Sequence, residues 1–164
     1  MKTITTKKLE KLLEQHFNKA NDFYVFECTY GWGGKEIVDC VMYNCQREVY
    51  CYEIKQSVQD FHSKNKLSFF GNKNYFVMPY ELYQKVSKEI YINYPYAGIY
   101  VPIKTPKYGE KDYEYDIYET LLCLKPARRQ ELKADKEIIL SSMLRSMQRD
   151  FPVKINYDLE SKGE

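Results

Sequence analysis

The sequence has few of the features that would place it in a membrane or in an oxidising compartment. No apolar run approaches the roughly 18 residues of a membrane-spanning helix, and residues 1–8 lack the apolar core of a signal peptide. The five cysteines include no C-x-x-C pair and lie among apolar residues. We therefore expect reduced core thiols instead of a disulfide framework or a zinc site. A cytoplasmic protein that does not bind membranes is the expectation.

The chain also lacks a strong excess of charge of either sign. Its 25 Lys and Arg residues nearly balance its 23 Asp and Glu residues, which leaves a net charge of +2. With 164 residues, 44% of them hydrophobic, the chain is long enough for one folded domain. We expect that domain over residues 1–155, with a flexible tail over 156–164. A near-neutral protein does not require a nucleic-acid partner, but a local basic patch on it can face a polyanion.

Hydrophobic periodicity predicts a mixture of helices and strands. Strands are predicted over residues 23–30, 36–43, 48–55, 74–78, 98–103 and 113–124. Helices are predicted over residues 5–18, 57–70, 79–90 and about 138–147, and a polar loop over 104–112. The first three strands are separated by short polar turns, so they should form an antiparallel meander. The predicted fold class is α/β, in the α+β sense of one mixed sheet with helices packed against it.

Two carboxylates interrupt otherwise apolar strands. Asp39 lies in the second predicted strand and Glu53 in the third. A carboxylate that faces a core is costly unless it is paired or bound to a metal. Positions 39 and 53 have their midpoint at position 46, inside a polar turn over residues 44–47, so these carboxylates should lie side by side in a hairpin. Strand alternation puts Glu53 and Lys55 on the same face.

This group of side chains predicts a site for a hard divalent cation. Two close carboxylates repel each other, and a divalent cation is the usual means of keeping both ionised. Oxygen ligands favour Mg²⁺, and we expect Mn²⁺ to substitute for it. Lys55 is placed to assist an attacking water and to stabilise charge on a phosphate. On a helical wheel Glu10 lies at the edge of the apolar face of the first helix, which makes it a candidate auxiliary ligand.

A plainer interpretation of the same side chains is a cross-strand salt bridge without catalysis. The pattern Glu-x-Lys recurs at residues 131–133 and 160–162, where no apolar strand surrounds it. Those repeats are more simply solvated charges. Only the pattern at residues 53–55 combines a strand context with an aspartate on the preceding strand, and the sequence leaves both interpretations open.

The order helix, three-strand meander, helix and strand, with Asp39 on the second strand and Glu53-Ile54-Lys55 on the third, resembles the core of the PD-(D/E)xK nuclease superfamily. The segment CYEIKQSVQDF over residues 51–61 is similar to the MmcB-like DNA-repair nuclease branch. The resemblance covers roughly residues 5–103. Val38 stands where the superfamily name has a proline, which many members lack.

This resemblance implies a restriction-endonuclease-like core, helix-βββ-helix-β, with extra C-terminal strands and a helix. It implies a magnesium-dependent nuclease that acts on DNA in repair or processing. Asp39 and Glu53 are then metal ligands together with the Ile54 carbonyl, and Lys55 is the catalytic lysine. Many nucleases of this fold pair to cut two strands, so a homodimer is compatible with the resemblance.

Basic and polar side chains near the motif and in a later basic segment are candidate contacts to nucleic acid. These residues are Lys35, Gln56, Lys64, Lys66, Arg128 and Arg129. A second function stays open beside the nuclease, namely a module of the same fold that binds DNA or recruits a partner with slow or absent chemistry. The choice between DNA and RNA is not determined by these residues.

Overall fold

The computed structural model describes residues 2–17, 22–31, 33–34, 36–63, 67–107 and 116–150. The helices are α1 (Ile4–Phe17), α2 (Val58–Phe61), α3 (Tyr80–Asn93) and α4 (Lys136–Asp150). The strands are β1 (Phe23–Thr29), β2 (Ile37–Tyr43), β3 (Val49–Ile54), β4 (Lys73–Val77), β5 (Gly98–Lys107) and β6 (Asp116–Lys125). This order is the mixed α/β arrangement that the periodicity predicted. The expected tail over residues 156–164 lies outside the described residues.

The six strands form one mixed sheet in the order β1-β2-β3-β4-β5-β6. The predicted meander is confirmed, because β1, β2 and β3 pair antiparallel. Strands β3, β4 and β5 run parallel, and β6 is antiparallel to β5. Parallel neighbours place their carboxyl ends at the same side of a sheet. We call that side, where β3, β4 and β5 end, the carboxyl edge, and the side where they begin the amino edge.

Helices cover both faces of the sheet. α1 packs four buried side chains, Leu9, Leu12, Leu13 and Phe17, against one face. α3 and α4 contribute Leu82, Val86, Ile90, Ile139 and Met143 to the core on the other face. Within β3, Cys51 belongs to the α3–α4 core and Tyr52 to the α1 core, as the two-residue period of a strand requires. Glu53 therefore points toward the α3–α4 face, on the same side as Cys51.

The second helix is much shorter than predicted. The pattern predicted a helix over residues 57–70, whereas α2 spans only Val58–Phe61. Phe69 and Phe70 are both buried in backbone that is not helical. Contacts distant in sequence hold this backbone in place, because the Phe70 carbonyl accepts a hydrogen bond from the Lys133 N–H at 2.9 Å and the Ser68 N–H donates to Glu53 Oε1 at 3.4 Å. The helical prediction is wrong for residues 67–70.

The fifth strand is longer than predicted. The polar composition of residues 104–112 predicted a loop, but β5 continues to Lys107. Its last four residues pair with β6 one by one, as far as Lys107 opposite Asp116. Cross-strand pairing outweighs local polarity here, so the loop prediction is wrong for residues 104–107. Residues 108–115 lie outside the described residues.

All five cysteines are free thiols, as expected. Cys28, Cys40 and Cys51 are buried, but Cys45 and Cys123 are exposed, so the prediction of core positions is wrong for these two. No helix in the described ranges is both long enough and apolar enough to cross a membrane.

Candidate active site

The β2–β3 hairpin places Asp39 beside the end of β3. Its register runs from Tyr43 opposite Val49 to Cys40 opposite Tyr52, and the next step outward aligns Asp39 with Glu53. The backbone N–H of Ile54 donates a hydrogen bond to Asp39 Oδ2 at 2.7 Å. The hairpin register is therefore the one that the sequence predicted.

Glu53 and Lys55 form a buried ion pair at the carboxyl end of β3. Lys55 Nζ lies 3.8 Å from Glu53 Oε2, and both side chains are 6% exposed. The other carboxylate oxygen of Glu53 accepts a long hydrogen bond from the Ser68 N–H at 3.4 Å. The backbone N–H of Lys55 donates to the Val77 carbonyl at 3.0 Å, which fixes this end of β3 against β4. The two carboxylates and the ammonium group thus occupy one small region that is largely closed to solvent.

Burial and mutual repulsion raise the pKa values of both carboxyl groups. Desolvation by burial, followed by the charge of Asp39, raises the pKa of Glu53 to about 8, while Lys55 acts in the opposite direction. Desolvation also raises the pKa of Asp39, against the hydrogen bond from Ile54 and the charge of Lys55. One ammonium group is thus insufficient to keep both carboxylates ionised near neutral pH.

The donor set of this site fits a magnesium ion. Proteins hold Mg²⁺ through one or two carboxylates and leave several waters on the ion, and Asp39 and Glu53 supply two carboxylates. Across the described ranges, no group of three or more His, Cys, Asp or Glu side chains has a metal-binding arrangement. The carboxylate pair would therefore share the ion with water and with a backbone oxygen. The resemblance assigns that backbone role to the Ile54 carbonyl.

Glu10 has a different partner from the one expected of an auxiliary metal ligand. Its Oε1 atom lies 2.6 Å from Lys2 Nζ, and the same ammonium group lies 3.0 Å from Glu27 Oε1. Its charge still contributes to the raised pKa of Asp39, after burial and the charge of Asp60. Glu10 is thus an electrostatic neighbour of the carboxylate pair, and its role as a metal ligand stays a prediction.

Gln56 links the carboxyl end of β3 to the start of α1. Its side-chain oxygen accepts hydrogen bonds from the hydroxyls of Thr3 and Thr6, and its backbone N–H donates to Asp60 Oδ2 at 3.0 Å. The negative charge of Asp60 raises the pKa of Glu53 as well as that of Asp39. The structure therefore places Gln56 at the acidic site, with its side-chain oxygen engaged by α1.

Sequence reasoning did not single out Ser68, whose backbone N–H is the hydrogen-bond donor to Glu53. The side chain gives no signal for this role, because the contribution comes from the main chain. The N–H reaches the carboxylate only because residues 67–70 leave the predicted helical path. The Ser68 hydroxyl is buried and has no hydrogen-bond partner within the described part of the chain.

Of the predicted nucleic-acid contacts that the structure describes, Gln56 lies at this site, whereas Arg128 and Arg129 lie elsewhere. Lys35, Lys64 and Lys66 lie outside the described residues. Arg128 and Arg129 follow β6 at the amino edge, where Arg129 Nε pairs with Glu48 Oε1 at 2.5 Å. Glu48 immediately precedes β3 and Glu53 lies near its end. Five residues of strand, about 16 Å, separate the two positions.

A groove with a volume of about 440 Å³ opens at the carboxyl edge. Thr5 from α1, Pro79 before α3 and Lys104 from β5 line it, together with Lys8 and Tyr80. Thr5 is next to Thr6, whose hydroxyl contacts Gln56. The groove and Gln56 therefore both lie next to the beginning of α1.

The fold and the site define a mixed α/β protein with a six-stranded sheet and two neighbouring carboxylates, a half-buried one on β2 and a buried one at the end of β3. No protein-family model and no curated protein matches the chain. Among solved structures, the chain is similar to the SPO1766 protein of unknown function from Silicibacter pomeroyi. The two chains are 15% identical, and the match has a TM-score of 0.65 and covers 92% of this chain and 90% of that chain. This similarity shows a shared fold over most of both chains.

Proposed function

We propose that the protein is a magnesium-dependent nuclease of the PD-(D/E)xK type that hydrolyses phosphodiester bonds of DNA in repair or processing. In this proposal α1, β1 to β3, α2 and β4 form a restriction-endonuclease-like core. The observation that carries the proposal is the close placement of Asp39, Glu53 and Lys55 at the carboxyl end of β3. The MmcB-like pattern of residues 51–61 supports the same assignment.

The three side chains have separate roles in such a reaction. Asp39 and Glu53 hold the cation, and their raised pKa values are the expected property of carboxylates that lack it. When bound, the cation supplies a more acidic water and draws electrons from the phosphate oxygens. Lys55 orients the attacking water and offers a positive charge to the developing negative charge on phosphorus-bound oxygen.

The charge balance around the site also supports a metal-dependent reaction. Among the described residues, the carboxyl groups of Asp39, Glu53 and Asp60 outnumber the ammonium group of Lys55, so the site without a metal offers a phosphodiester no net positive charge. The adjacent groove provides room for a substrate strand. Its wall carries Lys104 and the ion pair of Lys8 with Glu119 at 2.7 Å, as well as Glu81. Substrate binding at the carboxyl edge would therefore require the divalent cation.

Cleavage assays with matched variants test the proposal. The parent protein, Glu53→Gln and Lys55→Met are incubated with end-labelled single-stranded, duplex and branched DNA, with Mg²⁺, with Mn²⁺ or with a chelator. We expect metal-dependent cleavage by the parent and a loss of about 100-fold or more in both variants. Glu131→Gln and Lys85→Met, which change exposed residues of the same types, should cleave like the parent. Undiminished cleavage by Glu53→Gln and Lys55→Met would contradict the assignment.

The burial of the ion pair favours a second candidate function. Glu53 and Lys55 expose only 6% of their side chains, so DNA reaches them only if the surrounding chain opens. A DNA-binding or recruitment module with weak or absent chemistry has no such requirement. DNA binding that persists in Asp39→Ala and in a chelator, without cleavage of any DNA form, would identify this second function.

A further inference from the structure

The amino edge of the sheet carries a group of cations that the acidic site does not use. Residues 125–136 contain five Lys or Arg residues and two Asp or Glu residues. This segment connects the end of β6 to the start of α4. Lys73, at the start of β4, adds a further cation. We use the name basic strip for the side chains of Lys73, Lys125, Arg128, Lys133 and Lys136.

Backbone hydrogen bonds fix the segment that carries the basic strip. The Gln130 N–H donates to the Asn72 carbonyl at 2.8 Å, and the Lys133 N–H donates to the Phe70 carbonyl at 2.9 Å. These bonds hold an irregular segment against the loop that precedes β4. Because these bonds order the backbone of the segment before any ligand binds, binding to the strip does not carry the entropic cost of ordering that backbone.

Every lysine of the basic strip lies over a tyrosine ring. The pairs are Lys73 with Tyr50, Lys125 with Tyr91, Lys133 with Tyr96 and Lys136 with Tyr43, with Nζ at 5.1 or 5.2 Å from the ring centroid. Such contacts position an ammonium group and leave its charge intact. Cations interleaved with aromatic rings suit single-stranded nucleic acid, because a phosphate that binds the ammonium group draws it away from the ring and an unpaired base can then stack on the ring.

The basic strip keeps its positive charge. In the described part of the chain, none of its five side chains is ion-paired with a carboxylate, whereas the neighbouring Arg129 is paired with Glu48. Asp135 Oδ1 accepts a hydrogen bond from the Ile138 N–H at the start of α4. Burial, followed by the nearby guanidinium of Arg128, lowers the pKa of Lys125. The charges of Lys125 and Arg128 therefore repel each other, and a polyanion would relieve that repulsion.

We propose that the basic strip is a binding surface for single-stranded nucleic acid that works without divalent cations and separately from the acidic site. The strip lies at the amino edge, and its member Lys73 aligns with Tyr50, three residues or about 10 Å of strand from Glu53. The strip is therefore too far from Glu53 to take part in cleavage directly. The inference goes beyond the proposed nuclease and does not depend on it, because a protein that only binds nucleic acid would use the same surface.

Fluorescence anisotropy of the full chain in a chelator tests this surface. The probe is a labelled single-stranded DNA of about 20 nucleotides, longer than the sites of roughly 4 to 16 nucleotides that small single-strand-binding folds cover. The strip variant is Lys133→Gln with Lys136→Gln. The control is Lys85→Gln with Lys88→Gln, which removes the same charge from exposed positions of α3. We expect Kd to rise about tenfold or more for the strip variant and less than about twofold for the control.

Salt dependence gives a second measurement on the same variants. Removing two phosphate contacts from a single-stranded complex should lower the slope of log K against log salt by roughly 1.4. Equal losses in the strip variant and the control, or an unchanged slope, would overturn the proposal. Glu53→Gln, which lies outside the strip, should bind the probe with the parent's Kd in a chelator. If the strip proposal fails, the strip variant keeps the parent's Kd. If the nuclease proposal fails, only the cleavage assays show it.

A tyrosine variant tests the preference for single strands. Tyr96→Leu removes the ring under Lys133 and keeps an apolar side chain. We expect a loss of about fivefold or more in affinity for the single-stranded probe and little change for a duplex of the same length. Equal losses for the two probes, or tighter binding of the duplex by the parent, would overturn the preference for single strands.

Discussion

The carboxylate of Asp39 accepts a hydrogen bond from the backbone N–H of Ile54 at 2.7 Å, across the β2–β3 hairpin. The contact gives Asp39 a structural role, because it satisfies a main-chain donor at the end of β3. In the proposed nuclease the same side chain also supplies a negative charge to the cation. A substitution that keeps the hydrogen bond to Ile54 but removes the negative charge separates the structural role of Asp39 from its proposed role as a metal ligand.

Asp39→Asn retains a side-chain acceptor for Ile54 but removes the charge. We expect it to be at least as stable as the parent, since a partly buried carboxyl group with a raised pKa is replaced by a neutral group. Asp39→Ala leaves the Ile54 N–H without its partner and should lower the free energy of unfolding by about 1–3 kcal/mol. Urea unfolding measures this difference. Both variants should lose metal-dependent cleavage, and cleavage by Asp39→Asn at the parent rate would exclude the metal-ligand role.

The stability of the metal-free protein should fall as the pH rises from about 5 to about 8.5. Burial and Asp39 raise the pKa of Glu53 to about 8 in the folded protein, from 4.5 without such an environment. Between these values the folded state binds more protons than the unfolded state, so raising the pH favours unfolding. Thermal melting in a chelator should show a fall in Tm of about 3 °C or more over this range.

Glu53→Gln removes the titrating group and provides the control for that pH dependence. Its Tm should change much less between pH 5 and 8.5 than the Tm of the parent. At pH 8.5 Mg²⁺ should raise the Tm of the parent and not that of Glu53→Gln. A parent Tm that rises steadily over this pH range would contradict the raised pKa of Glu53.

Lys55→Met should move metal binding to higher pH. The ammonium group lowers the pKa values of Asp39 and Glu53, so its removal makes both carboxyl groups hold their protons more tightly. A cation must displace those protons, and the pH at which Mg²⁺ gives half of its maximal Tm increase should rise by about one unit. Lys85→Met, at an exposed position of α3, should leave that pH unchanged. A shift to lower pH in Lys55→Met would refute this electrostatic role.

Gly98→Ala should destabilise the junction between β5 and the segment that carries the basic strip. A Cβ atom at this position would collide with the ring of Tyr75 and lie 2.6 Å from the backbone nitrogen of Ala127. We expect the free energy of unfolding, measured with urea, to fall by about 2 kcal/mol or more, because the backbone at Ala127 cannot move away easily. In a double-mutant cycle, Tyr75→Ala should cost less in the Gly98→Ala protein than in the parent. Additive losses would show that the ring is not the obstacle.

The part of the site that the sequence predicted depends on local geometry. Asp39 and Glu53 have their midpoint at position 46, inside a polar turn, and a hairpin register is set by its turn and by the alternation of apolar residues. The order of helices and strands follows similarly from periodicity. Errors occurred where contacts distant in sequence decide the backbone, as in residues 67–70, or where cross-strand pairing extends a polar segment, as at Lys104–Lys107.

By itself, the sequence determined the mixed α/β class, the meander and the alignment of two carboxylates, because neighbours along the chain control all three. Only the tertiary structure decided how deeply Glu53 is buried and which main-chain donor reaches it. Packing of the α3–α4 layer and of residues 67–70 sets the desolvation that raises its pKa. The tertiary structure also decided that Lys73 lies at the amino edge together with residues 125–136. Lys73 is at the start of β4, and that start lies at the amino edge because β4 runs parallel to β3 and β5.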